Sequence, residues 1–108
     1  MRVAALAFLR VALGVTLGAP AVAQDAAAGR AKAAACAVCH GPLGLSSAPD
    51  APHLAGQPAM YVAAQLRAYR SGARKHEVMA VIARPLSDED IANIAAWFAS
   101  IRVEANAP

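Results

Sequence analysis

Apolar and polar positions follow a helical period in three segments of the chain, and no segment shows the two-residue period of a strand. Residues 25–39 are rich in alanine and contain no proline, which favours a helix. Residues 58–72 form a second segment, in which Val62, Leu66 and Tyr69 lie on one face. Its initial proline and terminal glycine suit the two ends of a helix.

The third segment carries the strongest local signals for a helix. Ser87 is the N-cap candidate, and the acidic residues at 88–90 complement the positive end of the helix dipole. The apolar stripe of this segment consists of Ile91, Ile94, Ala95, Phe98 and Ile101. We therefore expect an all-α fold in which the first and last helices cross near Gly29, where a missing side chain permits a close approach.

Two stretches between these helices lack periodicity. Residues 41–57 contain three prolines and three glycines, and the stretch is long for a structureless loop in a small domain. This length suggests that the loop wraps around something. Residues 73–86 are likewise predicted to be irregular, and they carry Met79 and Pro85.

The first 23 residues have the layout of a secretory signal peptide. Arg2 and Arg10 supply positive charge, residues 11–18 are apolar, and residues 19–23 end in a small-x-small pattern. A membrane anchor is the alternative, but Arg10 and Pro20 leave too short an apolar run for a span. We expect cleavage after Ala23, which would leave residues 24–108 as one exported, periplasmic domain.

Cleavage would change the charge and composition of the 108-residue chain. The whole chain is 58% hydrophobic and carries a net charge of +3. Without Arg2 and Arg10, eight basic residues face seven acidic ones, so the net charge falls to +1. The sequence therefore gives no reason to expect a nucleic-acid partner. Residues 67–75 still hold four basic side chains, read either as a solvated helix end or as a docking patch for an acidic partner.

The motif that carries chemistry is Cys36-Ala37-Val38-Cys39-His40, the C-x-x-C-H pattern of a c-type haem attachment site. Two thiols three residues apart on a helix can reach the two vinyl groups on one edge of a porphyrin, and the adjacent His40 can face the iron. A redox-active dithiol would need a βαβ neighbourhood, and a zinc site would need two further ligands, such as His53 and His76. A plain disulfide would leave His40 without a role.

The sequence resembles class I cytochrome c, and within it the small periplasmic type that is similar to one half of the two-haem cytochrome c4. The similarity runs from Gly29 to Ile101, and the motifs that carry it lie at 36–41, 44–46, 52–57, 61–66, 72–74, 79 and 86–91. The resemblance implies three main helices and loops wrapped around one covalently bound haem. Only one C-x-x-C-H motif is present, so one haem is expected, attached through Cys36 and Cys39.

A low-spin electron carrier needs a second axial ligand besides His40, and the candidates are Met60, Met79, His53 and His76. Met60 lies in the second helix, where core packing is the simpler interpretation. Met79 lies in the irregular stretch, where the backbone is free to present a thioether, and the resemblance also places the ligand there. The two histidines are expected to be solvent-facing loop residues.

The resemblance also implies groups around the ligands. His40 needs an acceptor for its second ring nitrogen, and the resemblance assigns this role to the carbonyl oxygen of Pro52. Gln57, Arg74 and Tyr61 are candidates to donate hydrogen bonds to the haem propionates. Trp97 is expected to pack between helices near Gly29.

We expect a periplasmic electron carrier whose partners are soluble or membrane-bound redox proteins, with no small-molecule substrate and no catalytic residue. Two alternatives stay open at this point. The chain could be the electron-accepting haem subunit of a dehydrogenase or oxidase complex. It could also be a peroxidase or gas-binding protein if the sixth iron position were open.

Overall fold

The computed structural model describes residues 24–108, together with Gly18, so the expected signal segment and its cleavage lie almost wholly outside the described residues. The described part of the chain contains helices and no strand, which confirms the all-α prediction. The elements are α1 (Ala26–Lys32), a 3-10 turn (Ala33–Cys36), α2 (Ala37–His40), α3 (Ala59–Ser71), α4 (Glu77–Ala83) and α5 (Asp88–Ser100).

The first predicted helix is divided in the structure. It begins as expected, because the Asp25 carboxylate accepts hydrogen bonds from the amides of Ala27 and Ala28. The prediction of one continuous helix over 25–39 is wrong, since a 3-10 turn separates α1 from α2. Ala33, the first residue of this turn, is buried against α5, and the tighter winding changes the side-chain register before the cysteine motif begins.

Helix α5 begins at the predicted N-cap. The Ser87 hydroxyl accepts from the Asp90 amide at 3.0 Å, and the Asp90 carboxylate accepts from the Ser87 amide at 3.0 Å, which completes a capping box. The hydrogen bond from the Ser87 backbone, helped by Lys32, lowers the pKa of Asp90. The Lys32 ammonium lies 3.2 Å from Asp90, so the same carboxylate also links α1 to α5.

Helix α5 is the centre of the packing, because it contacts both α1 and α3. Its predicted stripe is buried except for Ile101, which is half-buried. Two apolar clusters result. One joins α3 to α5 and contains Val62, Ala63, Ile91 and Ala95. The other joins the 3-10 turn to α5 and contains Ala33, Ile94 and Phe98.

Helices α1 and α5 approach most closely at Gly29, as the sequence predicted. A β-carbon on Gly29 would lie 1.8 Å from the backbone oxygen of Asn93 and 3.0 Å from the Trp97 β-carbon. The buried Asn93 side chain reinforces this crossing, because its Oδ1 accepts from the Asp25 amide at 2.8 Å. No side chain larger than hydrogen fits at position 29 without moving the helices apart.

The prediction that residues 73–86 are irregular is wrong over half of its length, because they contain α4. His76 is the N-cap of this helix, and its Nδ1 accepts from the Met79 amide at 3.2 Å. Because histidine is not among the preferred N-cap residues, the start of this helix is not recognisable from local residue preferences. Helix α4 packs against α3, and Ala83 near its end is fully buried.

Helix α3 agrees with the sequence to within one residue at each end, with Pro58 as its N-cap and Gly72, at φ 83°, as its C-cap. Arg70 links it to the start of α5. The Arg70 guanidinium donates to the Leu86 carbonyl at 2.9 Å and to Asp88 Oδ1 at 2.6 Å. This hydrogen bond lowers the pKa of Asp88. Part of the basic stretch therefore holds α3 and α5 together.

For Gly29→Ala, the structure predicts a decrease in the free energy of unfolding, whereas helix propensity alone predicts an increase. Propensity alone would make this change stabilising by about 1 kcal/mol. Because the new β-carbon would overlap the Asn93 carbonyl, we expect a loss of about 2 kcal/mol or more in the free energy of unfolding of the haem-loaded protein. Denaturant titration measures this loss, and the exposed Ala31→Gly variant gives the propensity of α1 on its own. A Gly29→Ala protein as stable as the wild type would contradict the close contact.

Candidate haem site

The cysteine motif lies where the 3-10 turn meets α2. Cys36 ends the turn and is half-buried against the cluster of Ile94 and Phe98, and this burial raises the pKa of its thiol. Cys39, one residue before the end of α2, is exposed. His40 ends α2 and is buried, with 8% of its surface exposed. The motif therefore presents one anchored thiol, one accessible thiol and one buried imidazole.

The hydrogen bond that the resemblance implied for His40 is present in the structure. His40 Nδ1 lies 2.8 Å from the Pro52 carbonyl oxygen. Because a carbonyl oxygen can only accept, Nδ1 carries the proton, and Nε2 is the nitrogen left to bind a metal. The ring is thus fixed in both orientation and tautomer.

Packing against α5 determines the position of the loop that carries Pro52. The carbonyl of Gly44 accepts from the amides of Leu54 and Ala55 at 2.7 and 3.1 Å, which joins the two arms of the loop. Gly44 has φ 75°, and a β-carbon there would lie 2.8 Å from the Phe98 ring. The absent side chain at position 44 therefore lets the loop lie directly on the core that also holds Cys36.

The four candidates for the second axial ligand differ in their surroundings. Met79 is half-buried in the first turn of α4. Met60 is 87% exposed, so its interpretation as a core residue is wrong. His53 and His76 are exposed as expected, yet each has a ring nitrogen that accepts from a backbone amide. Met79 is the only thioether of the described residues that combines partial burial with a helix start.

Two of the three candidates for the haem propionates, Gln57 and Arg74, have local hydrogen bonds in the structure. Gln57 Nε2 donates to the His53 carbonyl at 3.4 Å. The Arg74 guanidinium donates to Gln65 Oε1 at 2.7 Å and lies 4.7 Å from the Tyr69 ring centroid. Tyr61 is half-exposed. The structure shows Gln57 only in contact with the His53 carbonyl, so its role in haem binding stays a prediction.

The described residues fit a haem by their donor set and by their exposed apolar surface. Two thiols, one imidazole with a free Nε2 and one thioether match the attachment and axial groups of a c-type haem. Large apolar side chains that the polypeptide leaves exposed are Val38, Leu43, Leu45, Met60, Tyr61, Val78, Val81, Ile82 and Val103. Most of them lie in the motif, in the loop that follows it, or in α3 and α4, where an apolar porphyrin can cover them.

Neither competing interpretation of the two cysteines gains support. Residues 24–108 contain no strand, so the βαβ neighbourhood of a redox dithiol is missing. Within the same residues, no group of three or more His, Cys, Asp or Glu side chains is placed to hold a metal ion, as a zinc site would require. Fold and donor set together define a small helical haem protein with one attachment motif.

Comparison with known proteins identifies the family. The family model described as cytochrome c matches residues 26–102. Cytochrome c-554(548) of Halomonas halodenitrificans is 48% identical over 81 residues, which are 72% of this chain and 98% of the relative. The chain belongs to the cytochrome c family, and it carries one covalently bound c-type haem.

Two further similarities concern longer proteins. The crystal structure of reduced cytochrome c4 from Pseudomonas stutzeri is similar with a TM-score of 0.70 and 42% identity, over 74% of this chain and 47% of that one. A thiosulfate dehydrogenase electron acceptor of Stutzerimonas stutzeri is 44% identical over 69 residues, 61% of this chain and 32% of the relative. This chain spans about half the length of the cytochrome c4 relatives it matches.

We expect the haem to act as a large part of the core, because the polypeptide leaves much apolar surface exposed. A chain with both Cys36→Ala and Cys39→Ala, exported without haem, should therefore be largely unfolded. Circular dichroism during heating should show no cooperative transition, whereas the haem-loaded wild type should show one. A cooperative melt of the haem-free variant would contradict this expectation.

Proposed function

We propose that this chain is a periplasmic electron carrier whose haem is attached through Cys36 and Cys39 and ligated by His40 and Met79. The observation that carries the proposal is the buried His40 ring, whose Nδ1 is held by Pro52 so that only Nε2 is available to iron. Membership of the cytochrome c family supports it. When bound, the haem supplies a one-electron couple between ferric and ferrous iron.

The polypeptide contributes rigidity to this function. His40 ends α2, which directly follows the 3-10 turn packed on the Phe98 cluster, and the Pro52 carbonyl holds its ring. Met79 stands in the first turn of α4, which packs on α3, and the Arg70 contacts fix the segment that follows α4. Because both ligands come from elements attached to packed helices, their positions change little when the iron changes charge. Small geometric change favours fast electron transfer.

The proposed location depends on the sequence of the first 23 residues. Their charged, apolar and small-x-small parts are typical of an export signal, and covalent haem attachment suits an exported protein. No helix among the described residues is long and apolar enough to cross a membrane. We infer that the domain of residues 24–108 acts in the periplasm and meets redox proteins there through brief, small interfaces.

Met79→Ala tests the second axial ligand. We expect a lower reduction potential, because loss of the thioether removes the ligand that favours ferrous iron, and we expect the ferrous protein to bind added carbon monoxide. Redox titration followed by absorption spectroscopy measures both effects. Met60→Ala is the matched control, because Met60 is the other candidate thioether among the described residues, and loss of a methionine that does not bind iron should leave the low-spin spectrum intact and the iron closed to carbon monoxide. A Met79→Ala protein with a wild-type potential would refute the assignment.

A second candidate function is that of an electron-accepting subunit in a dehydrogenase complex. The similarity to a thiosulfate dehydrogenase electron acceptor favours it. The same haem site would serve in both cases, so the difference lies in whether a catalytic partner stays bound.

Size-exclusion chromatography of the protein from its native periplasm separates the two candidates. A free carrier should elute as a species of roughly the size of residues 24–108, whereas a subunit should elute with a much larger haem-containing complex. Repeating the run at high salt distinguishes a stable assembly from weak electrostatic association, since salt screens exposed charges.

A further inference from the structure

A network of hydrogen bonds connects α2 to the segment of the loop next to Pro52. None of its members is a proposed iron ligand. We propose that Ser46 and His53 are positioning residues that hold the Pro52 carbonyl against His40 Nδ1 and thereby lower the reduction potential of the haem. The inference rests on the proposed function, because it takes His40 as an axial ligand. It concerns two polar side chains that the sequence analysis left without a specific role.

Ser46 is the centre of the network. Its hydroxyl donates to the Cys39 carbonyl at 2.9 Å, one of the carbonyls that the end of α2 leaves without a helical partner. The same oxygen accepts from the Ala48 amide at 3.0 Å. The backbone amide of Ser46 donates to His53 Nδ1 at 2.8 Å. One residue thus contacts the attachment helix, the turn that follows it and the far arm of the loop.

The hydrogen bond from Ser46 to His53 restricts the orientation of the neighbouring Pro52 carbonyl. The Pro52 oxygen lies in the peptide plane that joins Pro52 to His53, so fixing the His53 side chain restricts the rotation of that plane. The proline ring restricts the other side of the residue. Because His53 Nδ1 accepts from Ser46, its ring is held in the form with Nδ1 unprotonated. The Pro52 oxygen is thereby aimed at His40 Nδ1, 2.8 Å away.

The strength of the His40 hydrogen bond affects the iron. A hydrogen bond from Nδ1 to a carbonyl oxygen makes the imidazole a better electron donor through Nε2, and a stronger donor favours ferric over ferrous iron. A firmly placed Pro52 carbonyl therefore lowers the reduction potential, and a loosened carbonyl raises it. The effect of His53 should be partial, because Gly44 also ties the two arms together through Leu54 and Ala55.

The test compares pairs of variants of the haem-loaded protein. His53→Leu removes the acceptor but keeps the size of the side chain, whereas His53→Asn supplies an amide oxygen that can accept from the Ser46 amide. Ser46→Ala removes the contact with Cys39, and Ser47→Ala is its control, because the Ser47 side chain takes no part in this network. The measurements are the reduction potential and the exchange rate of the His40 Nδ1 proton, observed by NMR in the reduced protein.

We expect His53→Leu to raise the reduction potential, so that the ratio of reduced to oxidised protein at a fixed solution potential increases at least threefold. For a one-electron couple, in which a tenfold change corresponds to 59 mV, this is about 28 mV. His40 Nδ1 proton exchange should accelerate in the same variant, and His53→Asn should restore both properties. Ser46→Ala should show a smaller shift in the same direction. Ser47→Ala should show none.

Three results would overturn the proposal. The first is an unchanged potential and an unchanged proton exchange rate in His53→Leu. The second is a His53→Asn protein whose potential and exchange rate equal those of His53→Leu. The third is an equal effect of Ser46→Ala and Ser47→Ala on both measurements. The serine pair decides the question if His53→Leu does not fold. Absorption spectra of the same samples separate this inference from the proposed function: a low-spin wild type with unaffected variants contradicts the network alone, whereas a wild type without low-spin ligation contradicts His40–Met79 ligation.

Discussion

The close contact between α1 and α5 is the constraint on which the rest of the molecule depends. Gly29 lies against the Asn93 backbone with no room for a side chain, and the Asn93 side chain holds the Asp25 amide. This crossing places the 3-10 turn on α5, where Ala33 and Cys36 join the cluster around Phe98. The position of the haem attachment motif is thus determined by a contact about two helical turns before it.

Phe98 is a core residue shared by the two segments that supply the His40 hydrogen bond. Phe98 contacts the 3-10 turn on one side and the Gly44 segment of the loop on the other. Helix α2 supplies the ring of His40 and the loop supplies its hydrogen-bond acceptor. Because the 3-10 turn that leads into α2 and the Gly44 segment of the loop both pack on Phe98, the segments that carry donor and acceptor share one rigid support.

The sequence predicted the parts of this fold that depend on local signals. Ser87 with its acidic neighbours marked the start of α5, Gly29 marked the helix crossing, and the C-x-x-C-H motif marked the haem. It did not predict α4, because the N-cap is a histidine ring rather than a short oxygen-bearing side chain. It also missed the break after Lys32, since the alanine-rich segment has no local reason to end there and only packing against α5 selects the 3-10 turn.

The residues that follow α5 pack on the loop that carries Pro52, and they thereby support the haem site from outside the cysteine motif. The Gly56 amide donates to the Phe98 carbonyl at 2.9 Å, and the Val103 side chain and the Ile101 carbonyl lie directly over Gly56. The loop that carries Pro52 therefore contacts α2 on one side and Ile101 and Val103 on the other. A substitution near residue 103 is remote from the iron in sequence, yet it acts on the loop that orients His40. Redox properties in this molecule can consequently diverge through changes in its least regular segment, with the haem-binding motif left intact.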